Sequence, residues 1–146
     1  MGKYKNKKKL IYSILICLVI IKILLINSSV INEIFNKTLY KIKTSGYSVI
    51  SNLDDISDIN SNEKTIYIGS EDCPYCIKNI DNVNMILKEK ENVYYFRVDF
   101  EDEDNQKQLI LIKNEYNFDT IPHILLIDGG LVKSYSSKDI ANFNEK

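Results

Sequence analysis

The 146-residue chain has no tryptophan, one histidine and three cysteines, and its first 26 residues contain no acid. Three cysteines are too few to staple a disulfide scaffold, and a body of this length does not need staples. They are also too few for a zinc site, because beyond Cys73 and Cys76 only Cys17, inside an apolar run, and His123 are left as ligands. The missing tryptophan accompanies a composition rich in Ile, Asn and Lys, which reads as a coding bias without functional content. No internal repeat or low-complexity linker divides the chain. The missing acids say more. Residues 1–26 carry six lysines and sum to +6, whereas the remainder holds 13 basic against 20 acidic residues, or −7. A basic end on an acidic body points to a membrane-facing terminus and a soluble domain. It argues against nucleic-acid binding, since the body repels phosphate.

Residues 10–26 (LIYSILICLVIIKILLI) are almost continuously apolar. As a helix they span about 25 Å against a hydrocarbon core of ~30 Å. Lys22, within a turn or so of the far end, reaches the headgroups by snorkelling. The lysines before Leu10 are expected to stay cytoplasmic, which leaves the body outside the cell membrane. The expected organisation is therefore a cytoplasmic tail (1–9), a single-pass transmembrane anchor (10–26), a helical stalk (27–46) and a folded domain (47–146). A cleaved signal peptide is the rival reading, but no clean A-x-A site follows the apolar run. Ile16 is too bulky for the position before a lipidated Cys17, which reads as a small apolar residue of the anchor. Over residues 30–44, Val30, Ile31, Ile34, Phe35, Leu39, Tyr40 and Ile42 recur at helical spacing, and Gly46 ends the pattern. A stalk, a helix on the membrane surface and a helix packed on the domain all fit this segment.

The body alternates strand and helix patterns. Residues 47–51 form a short strand, and 52–59 a helix with Leu53, Ile56 and Ile59 aligned and two acids in its first turn. Residues 65–69 read as a buried strand, 74–90 as a helix with Ile77, Ile80, Val83 and Leu87 on one face, and 93–100 as a strand rich in aromatic and β-branched residues. Residues 105–116 give a helix, 124–127 a strand, and Asp128-Gly129-Gly130 turns the chain into a hairpin partner at 131–136. Residues 137–143 close with a short helix. The order predicts an α/β fold with a mixed central sheet covered on both faces.

Cys73-Pro74-Tyr75-Cys76 falls between a strand and a helix, so Cys73 lies at the helix mouth. Thiolate is the nucleophile of disulfide exchange, and helix N-terminal N–H groups stabilise it. Pro74 suits the first turn, where no N–H partner is lost, and Tyr75 keeps one side of that turn apolar. Cys76, one turn on, is placed to resolve a mixed disulfide at Cys73. A C-x-x-C pair is also compatible with half a zinc site or two inert thiols, but neither explains the strand–helix setting. A second motif, Thr120-Ile121-Pro122-His123, stands just before a short apolar strand.

With Val98-Asp99 ending a strand and Tyr116-x-Phe118-x-x-Ile121-Pro122 leading into another, residues 47–143 resemble the thioredoxin superfamily. The resemblance implies a thioredoxin-like three-layer fold and a cis Pro122 facing the cysteines. It also implies that Thr120, Ile121 and Pro122 bind substrate, with the Ile121 backbone pairing to the substrate chain. The stretch from Ile68 to Cys76 (IGSEDCPYC) is similar to the membrane-anchored bacteriocin-transport accessory group. The chain departs from thioredoxins proper at Tyr67, where they carry a buried Asp. Glu71 and Asp72 are nearer the pair and are expected to be solvated and to raise the Cys73 pKa. Pro74-Tyr75 is the glutaredoxin dipeptide, but Gly129-Gly130 comes too early to hold glutathione.

The expected function is thiol–disulfide exchange on exported proteins or peptides, with no metal, no cofactor and an unidentified redox partner. Oxidase, reductase and isomerase directions all fit the pair. The alternative is a redox-inert accessory that uses the same fold to bind a secreted peptide or a transporter. His123 is read either as tuning the thiolates or as a partly exposed strand residue. The acidic run 101–104 reads as a solvated loop rather than a cation site.

Overall fold

The computed structural model describes residues 2–58 and 63–143, and the side chains of 2–12 and 24–27 lie outside that description. Ile59, expected to close a helix, also lies outside it, as do residues 144–146. The first element is a helix, α1 (Gly2–Thr44). Among the described residues it contains a stretch long and apolar enough to cross a membrane, with mean hydropathy 2.7. From Ser13 to Ile23 its side chains are exposed.

The chain divides into two compact units, Met1–Asn36 and Lys37–Lys146. The folded body thus begins ten residues before the expected boundary at 47. The reason is packing. The last two turns of α1 bury Tyr40 and Thr44 within the body, so for residues 37–44 the packed helix replaces the stalk.

The remaining elements are β1 (Ser48–Ile50), α2 (Leu53–Asp58), β2 (Glu63–Gly69), α3 (Pro74–Leu87), β3 (Val93–Arg97), α4 (Glu103–Tyr116), β4 (His123–Asp128), β5 (Leu131–Tyr135) and α5 (Ser137–Ala141). This is the order expected from the sequence, with ends shifted by at most three residues. The strands form one sheet in the order β1-β3-β2-β4-β5. β3 runs parallel to both β1 and β2, while β4 is antiparallel to β2 and β5. The sheet is mixed because the crossovers through α2 and α3 return the chain in parallel, while the Gly129-Gly130 turn, both residues at positive φ, reverses it.

β2 is central and buried on both faces. Ile66 and Ile68 point into a cluster with Ile56, Phe96, Leu109, Ile112 and Leu125, under α2 and α4. Tyr67, between them, points the other way, into a cluster with Tyr40, Cys76, Ile80, Val83, Tyr95 and Ile140. The period-two alternation of a strand therefore separates two cores, and the result is three layers.

Candidate functional site

The cysteine pair sits where β2 ends and α3 begins. Cys73 is the N-cap of α3, Pro74 occupies the first turn, and the Cys73 Sγ accepts the N–H of Cys76 at 3.2 Å. α3 forms because Cys76, Ile80, Val83 and Leu87 repeat at helical spacing and pack beneath it. The same geometry separates the two sulfurs. Cys73 is half-buried, whereas Cys76 is fully buried, and both are free thiols. Tyr75 is exposed beside them.

Their acidities diverge accordingly. The Cys73 pKa is lowered to about 7, first by the neighbouring Cys76 thiol, against the opposing effect of burial, and further by the N–H groups of Cys76 and Tyr75. The Cys76 pKa is pushed far up, first by its hydrogen bond with Cys73, then by burial and by negative charge on Cys73. A charge shared by two adjacent sulfurs rests on the one that meets solvent and the helix N–H groups.

Of the two acids before Cys73, Asp72 is exposed as expected and Glu71 is not. Glu71 is buried and paired with Lys41 at 3.2 Å and with Arg97 at 3.8 Å. Asp72 is exposed but pairs with Lys37 at 2.9 Å. With cations this close, neither acid is among the causes that act on Cys73. Lys37, Tyr40, Lys41 and Thr44 lie at i, i+3, i+4 and i+7, one face of the last turns of α1. That stripe was the available signal for these partners, but the apolar spacing around it drew the reading toward a stalk.

The second motif enters from β4. The Ile121–Pro122 peptide bond is cis. Because Ile68 is registered opposite His123, the end of β2 and the start of β4 meet at the same edge of the sheet. Cys73 and Ile121 both pack, partly buried, against the cluster that holds Cys76, and Ile121 reaches the other cluster as well. Pro122 is buried. Thr120 is exposed, and its hydroxyl meets that of Ser137 at 3.0 Å, while Ser137 donates to the Pro122 carbonyl at 2.8 Å. α5 thereby fixes the loop.

His123 opens β4 as a strand residue, but it is not partly exposed. It is 3% exposed, stacks on Phe118 with ring centroids 4.1 Å apart, and neither ring nitrogen has a hydrogen-bond partner. Burial lowers its pKa to about 4, partly countered by Asp139. The acidic run is not simply a solvated loop: Asp102 caps α4 through the N–H groups of Asp104 and Asn105, and Glu103 and Asp104 lie in its first turn. Among the described residues, no group of three or more His, Cys, Asp or Glu side chains is placed to hold a metal ion.

Tyr67, the noted departure from the thioredoxin pattern, is fully buried. Its hydroxyl meets that of Tyr40 at 2.9 Å, and Tyr40 meets Tyr95 at 3.2 Å. Burial raises the pKa of all three phenols, so they are neutral.

No protein-family model and no curated protein sequence matches the chain. Among solved structures it is similar to a protein described as having a thioredoxin fold, at 15% identity and a TM-score of 0.52, covering 70% of this chain and 96% of that one. It is also similar to oxidized mitochondrial thioredoxin 3 from Saccharomyces cerevisiae, at 11% identity and a TM-score of 0.51, covering 70% and 94%. The five-stranded mixed sheet between two helical layers, with a close cysteine pair at the mouth of α3, is a thioredoxin-like fold.

Proposed function

We propose that the chain is a thiol–disulfide oxidoreductase for exported proteins or peptides, with Cys73 as nucleophile and Cys76 as resolving thiol. The observation that carries this reading is the asymmetry of the two sulfurs: one half-exposed and acidic, the other enclosed and not. The Cys73 thiolate attacks one sulfur of a substrate disulfide. A Cys73–substrate bond forms, the substrate S–S bond breaks, and the departing thiolate takes up a proton. Cys76 gives up its proton and attacks Cys73, forming the Cys73–Cys76 disulfide and releasing the second substrate thiol. The pair loses two electrons and the substrate disulfide gains them; the reverse sequence oxidises a substrate dithiol. Thr120, Ile121 and Pro122, on the same edge of the sheet, are the proposed seat for the substrate backbone.

The apolar run 10–26 is the proposed anchor, with the lysine-rich tail inside and the domain outside. The similarity of IGSEDCPYC to the bacteriocin-transport accessory group supports an extracytoplasmic setting. Trapping tests the reading. Cys76→Ala should accumulate reductant-sensitive covalent complexes with exported proteins, and Cys73→Ala should not. Equal trapping by the two variants would show the roles to be wrong. No trapping, with a wild-type pair inert toward a model disulfide, leaves the redox-inert binding module as the function.

A further inference from the structure

The three tyrosine hydroxyls converge on Gly69. A Cβ there would lie 2.5 Å from the Tyr67 hydroxyl and 2.6 Å from that of Tyr40, so a glycine is what leaves room for the junction. The direction of each hydrogen bond follows from counting protons, because a phenol has one. The Gly69 carbonyl can only accept, and Tyr95 lies 3.3 Å from it, so Tyr95 spends its proton there. Tyr95 must then accept from Tyr40, and Tyr40 must accept from Tyr67. One chain results, Tyr67 to Tyr40 to Tyr95 to Gly69, and it turns the Tyr67 proton toward α1.

Tyr67 is also a neighbour of the cysteines. It shares the buried cluster of Cys76, against which Cys73 packs, and after burial a negative charge on either sulfur raises its pKa. Its proton has an acceptor in place, the Tyr40 oxygen at 2.9 Å, and the reduced sulfurs are the other acceptors in the same cluster. We propose that Tyr40, in the last turns of α1, is a positioning residue for the redox pair. By taking the Tyr67 proton it withholds that donor from the sulfurs and keeps the pair's reduction potential low. This rests on the redox reading of Cys73 and Cys76. The ion pairs Lys37–Asp72 and Lys41–Glu71 dock the same turns of helix onto the loop before Cys73, so the helix meets the site at three points.

Removing the Tyr40 hydroxyl leaves the Tyr67 proton without an acceptor. A buried donor left unpaired is costly, so it turns to the reduced sulfurs and stabilises them over the disulfide. The potential rises. The test is equilibration of the full-length chain, in detergent micelles at pH 7, with mixtures of reduced and oxidised dithiothreitol. Tyr40→Phe should shift the equilibrium toward the reduced pair by roughly three- to tenfold, the effect of one net hydrogen bond. Adding Tyr67→Phe to Tyr40→Phe should return it to the wild-type value, a reversal that a merely structural role for Tyr40 would not produce. An unchanged equilibrium, or a shift toward the disulfide, in a Tyr40→Phe chain with wild-type Tm overturns the proposal. If Tyr40→Phe does not fold, Tyr95→Phe serves instead. With the Tyr95 acceptor gone, the Tyr40 proton turns back on Tyr67, and the shift should have the same sign; no shift overturns the proposal. Exchange of the wild-type chain with a protein disulfide is scored separately, so failure of the oxidoreductase reading is distinguishable from failure of this one.

Discussion

The two faces of the central sheet solve the same packing problem with different chemistry. Under α2 and α4 the core is hydrocarbon: Ile66, Ile68, Phe96, Ile112, Leu125 and their neighbours. Under α3, α5 and the end of α1 it also contains three phenols and a thiol, yet the phenols are linked to one another and to Gly69. The unpartnered ring lies toward the hydrocarbon face, where His123 stacks on Phe118. Polar groups on the cysteine face are thus kept at little cost, whereas the one histidine near the other face is tolerated only while neutral.

Four measurements break or sharpen this contrast. Phe96→Ala, in the hydrocarbon core, should destabilise the fold by about 3–5 kcal/mol while leaving the dithiothreitol equilibrium of the folded protein unchanged. Denaturant titration and redox equilibration check the two halves of that statement. A change in potential as large as that expected for Tyr40→Phe would mean the faces are not independent.

The second concerns pH. His123 binds a proton less readily folded, with a pKa of about 4, than unfolded, where the ordinary value is 6.5. Between those values the unfolded chain holds more protons, so stability falls as pH falls, in full above 6.5 and exhausted below about 4. The loss should be on the order of 3 kcal/mol for a group this enclosed. Urea titrations at several pH values should show it in the wild type, and His123→Phe should remove that part of the slope.

Gly69→Ala comes third. Its Cβ falls on two hydroxyl oxygens, and the overpacking should cost about 1–3 kcal/mol by denaturant titration. Unlike Phe96→Ala it should also move the redox equilibrium, because it pushes the hydroxyl junction apart. The smallest effect on stability is that of Lys37→Ala combined with Lys41→Ala, under about 1 kcal/mol per ion pair. Its readout is different. With Asp72 and Glu71 left less compensated, the midpoint of Cys73 alkylation against pH should rise from about 7.

The fold was legible because local patterns carried it. Strand and helix periods, the Asp128-Gly129-Gly130 turn and Pro74 behind Cys73 each act within a few residues, and together they give the element order. What was not legible depends on contacts across the chain. Tyr40 touches residues 27 and 55 positions away, and the apolar spacing of its helix does not separate it from Leu39 as a candidate for burial. Glu71 looks solvated until Lys41 and Arg97 are brought to it, and Asp72, though exposed, gains Lys37 in the same way. His123 looked half-exposed because strand alternation does not reveal that Phe118, in the preceding loop, folds over the ring.

The sulfur of Cys73 serves two masters, since the atom placed for exchange is also the acceptor that closes the first turn of α3. An anionic sulfur is a stronger acceptor for that N–H than a sulfur bonded in a disulfide. In the proposed exchange, oxidation would therefore weaken the bond at the start of the helix and reduction would strengthen it. The proposed redox cycle would then also be a mechanical one. Electrons arriving at or leaving the pair would be felt as a change in the bond that closes a single helical turn.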